Sequence, residues 1–261
     1  MKKAKVLENV KHLVKNGDTS LPIPDYYEEA EYQEIIDGLA KKINELNIAF
    51  SEEKQDMQDW YTLWVHQIKT PIAVMKLNLT DNEKEISNQL FRIEEYVDMA
   101  LSYIRLESEQ NDLVIREYSL DELIRETVRK YAPQFIAKKI KLNYIPTDKK
   151  VITDKKWFSC ILEQYISNAI KYTNSGSIMI TVEGETLSVT DTGVGIAKED
   201  LPRIFEKGYT GNNGRTDAKS SGLGLYLSAK AAKLICVDLS AESISGNGSR
   251  FNITFKNSNL F

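Results

Sequence analysis

A histidine in the first third of the chain is followed by residue types that proteins use to bind nucleotides. His66 lies in the run WVHQIKTPI, and the 261 residues contain two histidines in all. The residues of interest that follow it are, in order, Asn168, Asp191, Gly193, Gly195, Gly222 and Gly224. A neutral imidazole is a nucleophile, and a glycine backbone can approach a ligand closely. The order therefore predicts that a bound nucleotide phosphorylates a protein histidine.

The composition is that of a globular protein with one large or two modest domains. Its 42% hydrophobic and 28% charged residues are ordinary, and its net charge of −4 argues against a nucleic-acid partner. No apolar run approaches the ~18–20 residues that cross a bilayer, and no signal peptide is recognisable. We therefore expect a cytoplasmic chain. Cys160 and Cys236 lack metal-ligand spacing and are expected to be reduced core residues.

Helical periodicity predicts the organisation of the first 110 residues. A short helix at residues 1–17 should end at the prolines of residues 18–25, and a long charged helix should follow. Its apolar residues recur every three or four positions, as in a coiled coil, until Glu53 interrupts them. Those residues are Ile36, Leu39, Ile43, Leu46 and Phe50.

A second helix should pair with the end of the first. Pro71 is expected to kink the first helix, and a turn at residues 81–82 leads into the second. The apolar stripe of this second helix consists of Ile86, Leu90, Ile93, Val97 and Ile104. Two helices with one stripe each cannot bury both stripes alone, so the pattern favours a dimeric four-helix bundle.

Helices and strands are mixed in the remainder of the chain. Because they do not alternate regularly as βαβ units, the pattern favours an α+β layer sandwich. We expect helices at residues 120–135, 155–173 and 222–234, a hairpin of strands at 178–182 and 186–190, and further strands at 113–115, 140–145, 237–241 and 250–255.

His66 is predicted to face solvent. On a helical wheel it lies opposite the apolar stripe that contains Ile68, and it shares its face with Thr70. A phosphoryl group can approach an exposed imidazole but not a buried one. The alternative is an ordinary surface histidine, which the position alone does not exclude.

A predicted helix around Asn168 carries polar residues suited to a nucleotide and its metal ion. Gln164, Asn168, Lys171 and Tyr172 fall on neighbouring faces of this helix. Amide oxygens suit a Mg²⁺ ion that keeps several waters and bridges phosphates, so Asn168 and Gln164 are the candidate metal ligands. The alternative is a solvated polar helix face.

An aspartate and two glycine pairs complete the candidate pocket. Asp191 ends a predicted strand, where its carboxylate can accept a hydrogen bond from an adenine amine. Gly193 and Gly195 allow the backbone to approach a ligand. Gly222 and Gly224 open a helix, and the N–H groups at a helix start bind phosphate. Taken alone, each motif could instead be a tight turn or a capped loop.

The loop at residues 207–221 is rich in glycine and asparagine and has few apolar anchors, which predicts a mobile segment. Arg215 and Lys219 could meet the anionic groups of a nucleotide from this loop. Both residues are therefore candidates for nucleotide binding.

Together these motifs resemble those of the sensor histidine kinases of two-component signalling. Residues 66–71 look like the family's H box, Asn168 its N box, residues 191–195 its G1 box, Phe205 its F box and residues 222–224 its G2 box. The resemblance covers roughly residues 55–256. The run WVHQIKTPI is similar to the intramembrane-sensing branch that responds to peptide antibiotics, often beside an ABC transporter in the membrane.

The resemblance implies a fold, partners and a domain organisation. The fold would be a dimeric helical-hairpin four-helix bundle followed by a Bergerat (GHKL) α/β-sandwich domain that binds ATP and Mg²⁺. Residues 1–50 would be an N-terminal linker and coiled-coil input helix, 51–110 the dimerisation and histidine phosphotransfer domain, and 111–261 the catalytic domain. A homodimer would autophosphorylate on His66 and pass the phosphate to an aspartate of a response regulator. The chain would be the cytoplasmic part of a membrane-anchored sensor.

Two glutamines depart from the family's pattern. An acidic residue usually follows the H-box histidine, whereas Gln67 can hold the imidazole tautomer but cannot take up its proton, so autophosphorylation should persist but be slow. Gln164 stands where related gyrase-type ATPases carry a water-activating glutamate, which favours transfer to a protein acceptor over hydrolysis. Thr70 matches the threonine that helps position water for dephosphorylation of the regulator. The competing hypotheses are a degenerate dimeric scaffold and a GHKL-type ATPase or serine kinase.

Overall fold

The computed structural model describes residues 27–77, 83–107, 113–211 and 222–256. The chain divides into two compact units, Met1–Leu63 and Trp64–Phe261. The helix predicted at residues 1–17, the break at 18–25 and the turn at 81–82 lie outside the described residues, as does most of the loop at 207–221.

Helix α1 (Tyr27–Leu77) confirms the long charged helix. It runs through Glu53 without interruption, includes Pro71, and continues to Leu77. Within the first unit, apolar residues of the predicted coiled-coil seam are more than half exposed in the single chain; they are Leu39, Ile43, Leu46 and Phe50. Such a row leaves water only when another helix covers it, as a coiled coil requires.

Helix α2 (Glu83–Glu107) confirms the second predicted helix. Within the second unit, it is joined to the end of α1 by a hydrogen bond of 2.9 Å from the Trp64 indole Nε1 to the Tyr96 carbonyl oxygen. Part of the predicted stripe, namely Leu90, Val97 and Ile104, is exposed in the single chain. The hairpin alone therefore does not bury this stripe, in line with the reasoning that favoured a dimeric bundle.

The rest of the second unit is an α/β sandwich, which confirms the predicted α+β class. Its elements, in chain order, are β1 (Ile115–Ser119), α3 (Leu120–Lys138), β2 (Lys141–Tyr144), β3 (Lys150–Asp154), α4 (Lys155–Tyr172), β4 (Ser177–Glu183), β5 (Thr186–Asp191), a 3₁₀ turn (Leu201–Arg203), α5 (Gly224–Leu234), β6 (Val237–Ser243) and β7 (Ser249–Phe255).

The main sheet has five strands in the order β2-β4-β5-β7-β6. Strands β2 and β4 are parallel, and the other neighbours are antiparallel. A separate antiparallel pair joins β1 to β3. Strand β3 was not predicted, because a short run that starts at Lys150 and ends at a helix-capping aspartate has little periodicity. It also placed the strand before α3 too early, since that strand begins at Ile115 rather than Leu113.

One face of α4 provides much of the hydrophobic core. Its fully buried residues include Phe158, Ile161, Leu162, Tyr165 and Ile166. The Phe158 ring stacks on Phe255 of β7 at a centroid distance of 5.9 Å, and the Tyr165 ring lies 5.1 Å from that of Phe251. The apolar face of α4 is thereby fixed against strand β7 of the sheet.

The prediction that both cysteines are core residues is wrong for Cys236. This residue is exposed, because it lies in the tight turn between α5 and β6, where its φ is 57°. Cys160 lies on α4 and is largely enclosed, and burial raises the pKa of its thiol to about 11. Neither of these two cysteines is part of a disulfide.

The start of α4 depends on one aspartate. The Asp154 Oδ1 accepts hydrogen bonds from the backbone N–H groups of Lys156 and Trp157, at 2.9 and 3.1 Å. Its Oδ2 accepts a third, at 2.8 Å, from the N–H of Val114 ahead of β1. One side chain therefore caps α4 and holds the preceding segment.

Replacing this cap should destabilise the fold. We expect Asp154→Ala to lower the free energy of unfolding by about 2 kcal/mol, because three backbone donors lose their acceptor. Chemical denaturation monitored by circular dichroism measures this loss. The exposed Asp148→Ala should change stability by less than about 0.5 kcal/mol, and an equal loss in both variants would contradict the capping role.

Candidate active site

His66 occupies the solvent-facing side of α1, as predicted. Thr70, which was expected on the same face, is exposed with it, as are Thr62, Lys69 and Ala73 nearby on the helix. The Thr70 hydroxyl donates a hydrogen bond of 3.1 Å to the backbone carbonyl of His66. The His66 imidazole is therefore accessible to a phosphoryl group in the single chain.

Gln67 lies in a different environment from its neighbour. Only 8% of Gln67 is exposed, whereas His66 faces solvent. Adjacent residues on a helix point about 100° apart, so this difference follows from the helical geometry. A direct role of Gln67 in holding the imidazole stays a prediction.

A cavity of about 860 Å³ brings together most of the predicted nucleotide-binding residues. Those that line it are Gln164, Asn168, Lys171, Tyr172, Asp191, Gly195, Gly222 and Gly224. His66, Gln67, Thr70, Gly193 and Phe205 do not line it. Arg215 and Lys219 lie outside the described residues.

Asp191 places a carboxylate in this cavity at the end of β5. It is 4% exposed, and its Oδ1 accepts a hydrogen bond of 2.8 Å from the N–H of Gly193. Burial raises the pKa of this carboxyl, and the backbone N–H groups of Gly193 and Ser249 oppose the rise. A buried acceptor of this kind suits a ligand amine that arrives without its water.

Gly193 allows the end of β5 to pass close to the end of α4. A Cβ at this position would lie 2.8 Å from the carbonyl carbon of Tyr172. The same carbonyl accepts a hydrogen bond of 3.2 Å from the N–H of Val194. The Lys138 ammonium of α3 donates to the carbonyls of Ile170 and Lys171 at the end of α4, at 2.6 and 3.1 Å.

The start of α5 faces the same cavity. Gly222 has a φ of +66°, and its carbonyl accepts a hydrogen bond of 3.1 Å from the N–H of Gly208. Gly224 begins the helix directly against the Gln164 amide, where a Cβ would overlap that side chain. Gln164 thus supports the helix start from α4. Backbone N–H groups at a helix start favour anions, so this start, beside the polar face of α4, is a candidate phosphate site.

Some cavity residues were not predicted from the sequence. Asp200 lines the cavity and accepts a hydrogen bond of 2.6 Å from the Tyr209 hydroxyl, and the Arg203 guanidinium lies 4.3 Å from the Tyr209 ring centre. Ser249 and Phe251 line it from β7. They carry no motif, because their place in the site depends on the pairing of distant strands.

Phe205 contributes to the core rather than to the cavity wall. It is partly buried and packs against the hydrophobic core, next to the buried Ile204, which does line the cavity. The nucleotide-binding role expected of Phe205 from its F-box match stays a prediction. The short segment that carries both residues is the one in which Asp200, Arg203 and Tyr209 interact.

The polar groups of the cavity suit a metal ion that a nucleotide carries in. Among the described residues there is no group of three or more histidine, cysteine, aspartate or glutamate side chains positioned to hold a metal. Asn168 offers an amide at the cavity wall, and Mg²⁺ commonly uses few protein ligands together with phosphate oxygens and water. The residues present therefore fit Mg²⁺ bound with a nucleotide.

Enlarging Gly193 should weaken nucleotide binding. We expect Gly193→Ala to lower the affinity for ATP about tenfold, because the added methyl must displace the backbone at Tyr172 and with it the Asp191 loop. Isothermal titration calorimetry measures the change. Gly38→Ala on α1 is the control, since a Cβ there would meet nothing within 4 Å and the backbone is helical. Equal affinities of the two variants would argue against the close approach at Gly193.

The chain is similar in sequence to a family of ATPases and to known sensor proteins. Residues 153–259 match the family model described as histidine kinase-, DNA gyrase B-, and HSP90-like ATPase. The chain is 35% identical to the sensor protein BceS of Halalkalibacterium halodurans, over 85% of this chain and 68% of that protein. It is 32% identical to the sensor histidine kinase GraS of Staphylococcus haemolyticus, over 98% of this chain and 75% of that protein.

A solved structure shares the fold. Full-length ShkA, determined in complex with AMPPNP, aligns with a TM-score of 0.50 and 20% sequence identity, over 77% of this chain and 44% of that one. No helix in the described part of the chain is long and apolar enough to cross a membrane.

Proposed function

The chain belongs to the sensor histidine kinases of two-component signalling, and from that premise we propose that His66 is its phosphoacceptor and the described cavity its ATP site. Its activity is that of a protein-histidine kinase, which autophosphorylates with ATP and passes the phosphate to a response regulator. The assignment of the ATP site rests on one observation: Asn168, Asp191, Gly195 and Gly224 line the same cavity.

His66 serves as the nucleophile. Its exposure on α1 supports this role, because the γ-phosphorus must reach a ring nitrogen in line with the leaving group. A bond forms between that nitrogen and the γ-phosphorus, and the bond from the phosphorus to the β–γ bridging oxygen breaks. ADP leaves, and the ring proton passes to water. Since Gln67 cannot accept this proton, we expect a slower step than an acidic neighbour would allow.

The cavity residues hold the nucleotide. The Asp191 carboxylate accepts a hydrogen bond from the adenine amine, and Gly193 and Gly195 let the backbone come close to the base. The N–H groups at the start of α5, from Gly224 onward, receive phosphate oxygens. Lys171, whose ammonium lies 5.2 Å from the Tyr172 ring centre, offers a positive charge at the same wall. Arg215 and Lys219 remain proposed contacts from the loop ahead of α5.

Mg²⁺ is proposed to accompany ATP, with the Asn168 amide oxygen as its protein ligand. When bound, Mg²⁺ neutralises charge on the phosphate oxygens. Gln164 is the weaker of the two predicted ligands, because its amide lies against Gly224. As a glutamine it is also a poor base, which favours transfer of the phosphoryl group to protein over water.

The partners follow from the family and from the exposed helices. Members of this family act on a response regulator and form dimers, and the uncovered apolar residues of α1 and α2 offer surface for dimer contacts. Thr70, exposed one turn after His66, is proposed to help position water when the regulator is dephosphorylated. We also propose an ABC transporter as a membrane partner and a membrane-anchored sensor of which this chain is the cytoplasmic part. Both rest on the resemblance to the antibiotic-response branch.

The affinity for ATP should depend on the ionisation of Asp191. The ionised carboxylate is the form that accepts from the amine, and burial raises the pKa of this group. Protonation therefore begins at a higher pH than for an ordinary aspartate of pKa about 4, and affinity should fall as the pH is lowered through that raised value. Calorimetric titrations over a pH series measure this. Asp191→Asn should bind ATP more weakly with a flatter pH profile, and a parallel profile in both proteins would contradict the assignment.

Labelling with ATP tests the phosphoacceptor. Incubation with γ-labelled ATP and Mg²⁺ should give protein-bound label that is labile in acid, as phosphohistidine is. The label should be absent from His66→Ala and retained in His12→Ala, which changes the other histidine of the chain.

Other outcomes identify the competing functions. Acid-stable label would indicate a serine kinase, and free phosphate without labelled protein would indicate an ATPase. Bound ATP with neither product would indicate the non-catalytic scaffold. Label that persists in His66→Ala would refute the assignment of His66.

A further inference from the structure

A half-buried carboxylate on α2 contacts the helices that carry the nucleotide site. The Glu95 Oε1 accepts hydrogen bonds from the Tyr131 hydroxyl of α3 and the Ser167 hydroxyl of α4, both at 2.9 Å. Burial raises the pKa of Glu95, and Lys130 and Arg92 oppose the rise. A half-buried carboxylate that accepts hydrogen bonds from two different helices is a specific contact rather than a chance surface encounter.

Further contacts lie along the same side of α2. Lys130 of α3 places its ammonium 3.2 Å from the Asp98 carboxylate and 2.7 Å from that of Glu163 on α4. The Ser102 hydroxyl lies beside the Cys160 thiol of α4, where it lowers the pKa of that thiol against the larger effect of burial. The Phe91 ring meets the Tyr131 ring edge-on at 5.4 Å.

These contacts define one face of α2. Its members are Phe91, Glu95, Asp98 and Ser102, which recur at spacings of four, three and four residues and so lie on one side of a helix. We call them the docking face. The exposed apolar residues Leu90, Val97 and Ile104 are offset from it and remain uncovered in the single chain. One side of α2 is thus occupied by α3 and α4, while another is available to a second chain.

The docking face holds the helix that carries the metal-binding candidate. Ser167, which donates to Glu95, directly precedes Asn168 on α4. In this arrangement α2 forms one wall of the cavity, whereas His66 does not line it. In the arrangement in which Glu95 is engaged, the phosphoacceptor of the same chain is therefore not part of the cavity that holds the phosphate site.

We propose that Glu95 is a positioning residue that holds the nucleotide-binding helices against α2 in a resting arrangement, and that its release limits the rate of autophosphorylation. The proposal rests on the proposed function of His66. Releasing Glu95 frees α3 and α4 to carry the nucleotide toward a phosphoacceptor. The two hydrogen bonds and the Lys130 bridge set how often this occurs.

Removal of the acceptor should speed autophosphorylation. Glu95→Ala leaves the Tyr131 and Ser167 hydroxyls without their acceptor in the docked arrangement, and each lost bond shifts an equilibrium by about fivefold. We expect the initial rate at saturating ATP to rise about fivefold or more, with little change in KM for ATP. Glu94→Ala is the matched control, because Glu94 is the exposed neighbour on the same helix, and its rate should equal that of the unchanged chain.

A second variant separates a positioning role from a structural one. Ser167→Ala removes one donor from the other side of the contact and should also raise the rate. Combined with Glu95→Ala it should add nothing further, since both changes break the same interaction. A fall in rate together with a higher KM for ATP in either variant would overturn the proposal, because it would mean that the contact supports the site rather than restrains it.

A reversible crosslink tests the docked arrangement directly. Ser102→Cys in a Cys236→Ser background places a second thiol beside Cys160, and a disulfide between the two would lock the docking face. Because burial raises the pKa of the Cys160 thiol to about 11, a copper–phenanthroline oxidant is needed to form the bond. The oxidised protein should bind ATP but lose nearly all His66 labelling, and a reductant should restore it.

The outcomes distinguish this proposal from the assignment of His66. Absence of acid-labile label in both oxidised and reduced protein, and in the unchanged chain, would contradict the assignment itself. Equal labelling of the reduced and the oxidised protein would support His66 as the phosphoacceptor and overturn the role of the docking face.

Discussion

Helix α4 belongs to the hydrophobic core with one face and to the candidate active site with the other. Its apolar residues stack on β7 through pairs such as Phe158 and Phe255, and its start is held by Asp154. Because the buried face permits one rotation of the helix about its axis, the polar face must present Asn168 to the cavity. The site is therefore positioned by packing several residues away from the groups that bind a nucleotide.

The end of β5 and the start of α5 approach α4 closely, and this fixes the position of the site residues that they carry. Gly193 and Gly224 stand where a Cβ would overlap the Tyr172 backbone or the Gln164 amide, so the end of β5 and the start of α5 both lie directly against this helix. Asp191 is buried at some cost in desolvation, and the N–H of Gly193 compensates part of it. Such a preorganised acceptor contributes favourable free energy only when a ligand donates a hydrogen bond to it.

The relation between α2 and the sandwich links this site to the rest of the kinase. The same helix has an uncovered apolar stripe and a polar docking face, with Glu95 at the centre of the latter. A polar contact is suited to a reversible arrangement, because the carboxylate and its donors can exchange their bonds for water when the helices separate. A continuous apolar contact would be harder to release.

The sequence by itself determined the helices, most of the strands and the order of the motifs. Apolar spacings of three and four residues, a capping aspartate and glycine pairs all depend on residues that are close together along the chain. It also placed His66 on an exposed face correctly. It did not reveal the strand Lys150–Asp154, the parallel pairing of β2 with β4, the exposure of Cys236, or the cavity residues Asp200 and Ser249. Only the tertiary structure decided these features, because they depend on contacts between segments that are far apart in sequence. The hydrogen bond between Glu95 and Ser167 is of the same kind.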